Sequence, residues 1–297
     1  MAQRFTVIAG GLLAAEPAAA DSVERAPAER HWRIDLRAAD SIDAAAVAAW
    51  RALLTRSGAA GAAFCDPDYL LPAAKHQSGG RALVFAWSRR GDGPESLRAV
   101  LPLAFGHPLW RGGRVTPWSP PGLSLKPAHL VEAGCAAEIG AALDARLRPD
   151  GRRLAFDLAE SAGLPAPCLR FELLPGRAQR PARRAVPSGS LVGVRPADFR
   201  PEEVETISEP ARIRDAVESF LALDARTAGR PIVADPSEAA MVRVVTRLFA
   251  RRRAVRVELA RRSGEIVAGS LRLGDGRRAA LWRSAPAVTV REGGEGR

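Results

Sequence analysis

Five side chains have types and settings that could do chemistry: Glu258, Trp282, Arg283, Asp224 and Trp118. Glu258 falls on a predicted strand, where a carboxylate can take a proton from a nucleophile; strand alternation equally lets it face solvent. Trp282 and Arg283 close another strand-like run. A guanidinium there can pair with a phosphate or an acidic substrate, or can simply be exposed. Asp224, late in a helical run, can orient a substrate amine or close the helix turn. Trp118, in PWSPPG, stands on a proline-rigid turn at a strand end, which suits lining a cleft and equally suits packing over a domain seam.

Other chemistries lack their residues. Cys65, Cys135 and Cys168 are widely spaced and odd in number, which fits buried thiols better than a disulfide framework or a metal site. The four histidines are scattered, and no Ser-His-Asp order, zinc motif or P-loop occurs. The net charge of +11 is almost all arginine, since Lys75 and Lys126 are the only lysines. The basic runs at 177–184 and 251–253 have few aromatic neighbours to stack on bases, so nucleic acid is not expected as a partner. No stretch approaches the roughly 20 apolar residues of a membrane span. Arg4 followed by FTVIAGGLLAA has the outline of a secretory signal, but Gly10, Gly11 and Glu16 weaken it. A cytoplasmic protein is expected.

The elements that must position the candidates follow from periodicity. Ser41 can cap a first helix in which Val47, Trp50, Leu53 and Leu54 recur at helical spacing before Gly58. RALVFAWSRR and LRAVLPLAFG read as a hairpin around GDGPES, and RVTPWSPPG as a short third strand. AAEIGAALDARL is helical, and RRLAFDLAE reads as a buried strand. Prolines and glycines between about Leu174 and Arg200 forbid long elements there. Beyond them, ARIRDAVESFLALDAR is helical, Asp235 caps another helix with Pro236 at its first position, and Met241, Val244, Val245, Leu248 and Phe249 form its core stripe. Three strands follow between Val255 and Ala285, turning at Ser263-Gly264 and Gly274-Asp275-Gly276. Helices, hairpin and third strand thus occur twice. The division expected is a poorly ordered segment 1–40, a first half 41–173, a linker 174–207 and a second half 208–297.

FLALDAR, the helix ending in FARRR and VRVELARRSGEIVAGSLRLGDGRRAALWRSA resemble BioF2-like or CelD-type acetyltransferases of the GNAT superfamily, relatives of the two-half FemABX-type proteins. WRALL, FCDPDYL, LRAVLPL, PLW and PWSPPG extend the resemblance over roughly 42–285. It implies an α/β (α+β) fold of two GNAT-like halves, each a twisted mixed sheet flanked by helices. It also implies transfer of an acyl group from acetyl-CoA or another acyl-CoA to a small-molecule or sugar-linked amine, often in polysaccharide or cell-envelope metabolism, with no metal. The thioester would lie where a third strand and its neighbour splay apart, and the next helix would offer its N-terminal N–H groups to the pyrophosphate. Within that reading Glu258 is the candidate base, Trp282 and Arg283 line the cofactor, and Trp118 and Asp224 meet the substrate.

The chain departs from the pattern at several points. Thr227, Ala228 and Gly229 stand where such proteins read tryptophan-lysine-glycine, Arg283 stands where lysine is common, and Ala285, Pro286 and Ala287 replace an alanine-tyrosine-aspartate phrase. The tail VTVREGGEGR cannot supply both a phosphate-facing helix and a further strand, so the second half is expected to be incomplete and the alternative is a non-catalytic remnant or binding module. Gln77, Gly80 and Ala82 match the superfamily's phosphate loop literally, but ahead of a strand rather than after one.

Overall fold

Asp43, not Ser41, caps the first helix. Its backbone is extended and its carboxylate accepts from the Ala46 N–H at 2.7 Å, whereas Ser41 closes a preceding turn by donating to the Ala38 carbonyl. This is a computed structural model, and it describes residues 30–59, 62–76, 81–106, 113–118, 129–161, 203–275 and 279–285. The first half runs β1 (Arg30–Arg37), α1 (Ala44–Arg56), α2 (Pro67–His76), β2 (Arg81–Arg90), β3 (Ser96–Phe105), β4 (Arg114–Pro117), β5 (Leu130–Val131), α3 (Ala136–Leu147), β6 (Arg153–Leu154) and the single turn α4 (Leu158–Ser161). Its strands lie in the order β1-β2-β3-β4-β6, with β5 also on β3. All pairings are antiparallel except β4 with β6, which α3 joins by a crossover.

RRLAFDLAE is not the buried strand expected. Only Arg153 and Leu154 pair, partly exposed, before the chain turns into α4. The reason is geometric: the pairing partner β4 has only four residues, and β6 leaves it after Val115↔Leu154. Tight packing limits the entry to this corner as well. Gly113 has φ 63°, and a Cβ there would lie 2.4 Å from the Gly151 carbonyl oxygen.

The second half runs β7 (Glu203–Ile207), α5 (Pro210–Thr227), α6 (Pro236–Arg251), β8 (Val255–Arg262), β9 (Glu265–Leu273) and β10 (Ala280–Ala285). Asp235 caps α6 as expected, accepting from the N–H groups of Ser237 at 2.9 Å and Glu238 at 3.3 Å. Ser263 (φ 50°) and Gly264 (φ 79°) supply the two left-handed residues that a two-residue β8–β9 hairpin turn requires. The buried stripe of α6 is rotated slightly from the expected one. Met241, Val245 and Phe249 are joined by Val242, Thr246 and Ala250, while Val244 and Leu248 are only half-buried.

The order β7-β8-β9-β10 is antiparallel throughout, so this sheet, in its described strands, is not the mixed one expected. Both halves nevertheless follow one path: strand, two helices, then three antiparallel strands in sequence order. β1 falls inside the segment expected to be poorly ordered, and β7 inside the expected linker. Both are edge strands in which charged residues interrupt the apolar alternation, the composition that blunts an exposed edge. The readings placed on residues 1–29, on Gln77 and Gly80, on Cys168, on most of the linker and on the tail after Ala285 lie outside the described residues.

Two apolar clusters hold these layers. Val84, Ala86, Leu101 and Leu103 on one face of the first sheet pack on Ile139, Leu143 and Leu147 of α3. The other face, with Phe85 and Val100, packs on α1 and α2, and this cluster continues through α5 and α6 to Val257, Leu259 and Leu271 of the second sheet. The halves therefore share one core. At the shared boundary α2 and α6 run antiparallel, tied at both ends. The Ser237 hydroxyl donates to the His76 carbonyl, and Arg252 donates to Asp66 Oδ2 at 2.9 Å and pairs with Asp68 at 3.2 Å. At the second of these ends opposite charges meet, Arg252 after α6 facing Asp66 and Asp68 at the start of α2.

Candidate functional site

A polar cluster lies where β10 meets the α2–α6 boundary. β10 pairs Leu281 with Arg272 and then Arg283 with Leu271, leaving Trp282 as the extra residue of a β-bulge. A bulge breaks the strict alternation of a strand and re-aims its side chains. Trp282 and Arg283 consequently both reach the helices. The Trp282 ring meets Tyr69 of α2 edge to face, with centroids 5.7 Å apart, and Arg283 Nη2 donates to Glu238 Oε1 of α6 at 2.7 Å. Glu238 sits in the first turn of α6, so the helix end that Asp235 caps also presents this carboxylate.

The electrostatics follow from burial. Tyr69 is fully buried, and its pKa is raised well above the ordinary phenol value mainly by loss of solvation. The Arg283 charge and the Trp282 N–H oppose that rise, and Glu238 adds to it. Tyr69 is therefore a proton donor at any ordinary pH. The Tyr69 hydroxyl and the Trp282 indole N–H face each other closely enough for the N–H to hydrogen-bond the phenol oxygen, and neither has a further partner among the described residues. Arg283, whose side chain is 9% exposed, has its charge balanced by Glu238, the most open member at 22%.

The structure brings Trp282 and Arg283 together and disperses the other candidates. Asp224 is buried, and its Oδ2 accepts from the Ile232 N–H at 2.6 Å, which closes the turn after α5. Glu258 accepts from the Ser270 hydroxyl at 2.8 Å and from Arg272 Nε at 3.2 Å. Its neighbours Val257 and Leu259 point into the shared core, so Glu258 lies on the opposite face of the sheet from Arg283. Trp118 is buried within the core shared by the two halves, and its backbone N–H donates to the Pro102 carbonyl at 3.0 Å.

Sequence reasoning missed Tyr69 and Glu238 as site residues. Tyr69 is the only tyrosine in the chain, a countable signal. Glu238 is masked by its position in a helix first turn, where an acidic residue needs no other reason. His129 was missed as well. It is 1% exposed, both ring nitrogens lack partners, and burial lowers its pKa to about 4. Its ring packs 5.5 Å from Phe156, beyond the end of β6.

No protein-family model matches the chain, and no curated protein or solved structure matches it either. Among the described residues, no group of three or more His, Cys, Asp and Glu side chains could hold a metal ion. None of the helices described is long and apolar enough to cross a membrane.

Proposed function

We propose that the chain is an acyl-CoA-dependent N-acyltransferase of two GNAT-like halves, taking acetyl-CoA or another acyl-CoA and an amine acceptor. The acceptor is a small molecule or a sugar-linked amine, in polysaccharide or cell-envelope metabolism. The observation that carries this reading is the twice-used path of one strand, two helices and three antiparallel strands. The first copy adds further support: after its third long strand it continues through α3 into β6, which runs parallel to β4 for two residue pairs and then departs. A splayed pair of strands followed by a helix is what the resemblance implies for a thioester cleft. In the second copy the bulged β10, with Trp282 and Arg283, occupies the equivalent of β4.

Acyl transfer of this kind depends chiefly on holding the amine against the thioester carbonyl, with donors for the oxyanion that develops. The test is release of free thiol from acetyl-CoA, followed against a panel of primary amines including amino sugars. Amine-dependent thiol release supports the reading; none above the rate without protein contradicts it.

A second reading, a non-catalytic binding module on the same fold, is favoured by the engagement of the candidate groups. Asp224, Glu258 and Arg283 are all committed to bonds within the protein. That reading predicts ligand binding without thiol release.

A further inference from the structure

We propose that the outer face of α5 and α6, centred on Arg247, Arg251 and Arg253, docks on an anionic lipid surface. Arg243, Arg247 and Arg251 follow one another at four-residue spacing along the exposed side of α6, about 6 Å apart by the helical rise. Met241, Val245 and Phe249 face the other way, into the shared core. Arg243 is held by Glu218 of α5 through contacts of 2.6 and 2.9 Å, and Arg214 acts on the same carboxylate. Among the described residues, no carboxylate pairs with Arg247, Arg251 or Arg253.

Both the row and the arginine after it weaken the fold locally. Like charges four residues apart on a helix repel, and Arg247 has an arginine four residues away on either side. Arg253 stands just past the end of α6 in left-handed backbone (φ 55°), with its N–H bonded to the Ala250 carbonyl and the Ala254 N–H to the Phe249 carbonyl. Glycine fits that position without strain. The helix dipole favours a cation near this end, but Arg252, which closes the helix and pairs with Asp66 and Asp68, already supplies one. The remaining arginines are thus available to a partner.

Their arrangement selects the kind of partner. Guanidinium groups spaced along the outside of a helix do not converge, so they cannot enclose a single anion. A fluid array of phosphate headgroups moves to meet them where they stand, and each basic side chain near such a surface adds to the attraction. The aromatic rings of α5 and α6, Phe220 and Phe249, are both buried, so this face offers nothing on which bases could stack. An acyltransferase and a binding module would carry the face alike.

The experiment is cosedimentation of the full chain with vesicles of phosphatidylcholine alone and of phosphatidylcholine mixed with phosphatidylglycerol. The unsubstituted protein should bind the mixed vesicles and not the neutral ones. Arg247→Gln, Arg251→Gln and Arg253→Gly should each weaken that binding about five-fold. Arg90→Gln, which removes an exposed arginine at the end of β2, should change it far less. Arg253→Gly also relieves left-handed backbone, so it should leave the protein at least as stable while it weakens binding. Equal binding to both kinds of vesicle, or losses no larger than that of Arg90→Gln, would overturn the proposal. Duplex DNA bound more tightly than the mixed vesicles at equal phosphate concentration, through the same arginines, would overturn it too and assign the face to nucleic acid.

Discussion

The rings of Tyr69 and Trp282 meet edge to face across the boundary between the two halves, centroids 5.7 Å apart and planes at 82°. The contact links α2 to β10, segments more than 200 residues apart in the chain. An edge-to-face pair contributes roughly 0.5–1.5 kcal/mol beyond the area it buries. The Trp282 indole N–H faces the phenol oxygen there, and neither group has a further partner among the described residues.

Tyr69→Phe should cost about 1 kcal/mol, because it leaves the buried Trp282 indole N–H without the oxygen it faces. Chemical denaturation measures this. A loss of 2 kcal/mol or more would show that the hydroxyl is a structural anchor.

Arg252 ties the end of α6 to Asp66 and Asp68, with its guanidinium carbon 4.9 Å from the Phe249 ring centroid. The side chain is 39% exposed, so solvent screens the pair. A double-mutant cycle of Arg252→Met with Asp66→Ala should give a coupling of about 0.5–1 kcal/mol. The coupling should shrink in 1 M salt, since the Debye length there is only about 3 Å. A coupling independent of salt would mean that packing, not charge, joins the helices.

His129 makes stability depend on pH in a window of its own. Its pKa falls from 6.5 to about 4 on folding because burial disfavours the imidazolium. The unfolded chain therefore binds more protons between these values, and stability is lost as pH falls from about 6.5 to about 4. The full effect amounts to roughly 3 kcal/mol. Carboxylates with lowered pKa, such as Glu95 and Glu218, act from their ordinary value of 4.5 downwards and so overlap only the lowest part of that window. Subtracting the profile of His129→Leu from that of the unsubstituted protein should isolate a slope confined to pH 4–6.5. A flat difference would show that His129 stays solvated.

Gly113→Ala should cost about 2–4 kcal/mol, since it combines left-handed backbone strain with a collision against a backbone oxygen that cannot turn away. Gly134→Ala, also at positive φ but with nothing within 4 Å of the added methyl, should cost only the backbone strain, about 1 kcal/mol. Equal losses would mean that the β4 corner relaxes.

Long, periodic elements were legible in the sequence. The hairpins β2–β3 and β8–β9, the helices α5 and α6 and the Asp235 cap follow from local pattern alone. What escaped depends on contacts distant in the chain. β1 looks polar until its partner β2 is known, and β6 reads as buried until β4 proves too short to hold it. The site was half legible. Trp282 and Arg283 stand at the end of a visible strand, but the bulge that sends both to one side, and the Tyr69 and Glu238 they meet there, exist only in the packed molecule. Glu258 and Asp224 were chosen for their chemistry, and their partners Ser270, Arg272 and Ile232 belong to other elements or turns.

Hydrogen exchange of the intact chain with and without saturating acetyl-CoA tests the central claim most directly, because that claim places an acyl thioester where β4 and β6 splay apart beside α3. Slower exchange at 114–117 and 136–147, the strand and helix of that corner, is the predicted result. Unchanged exchange at both segments would contradict it.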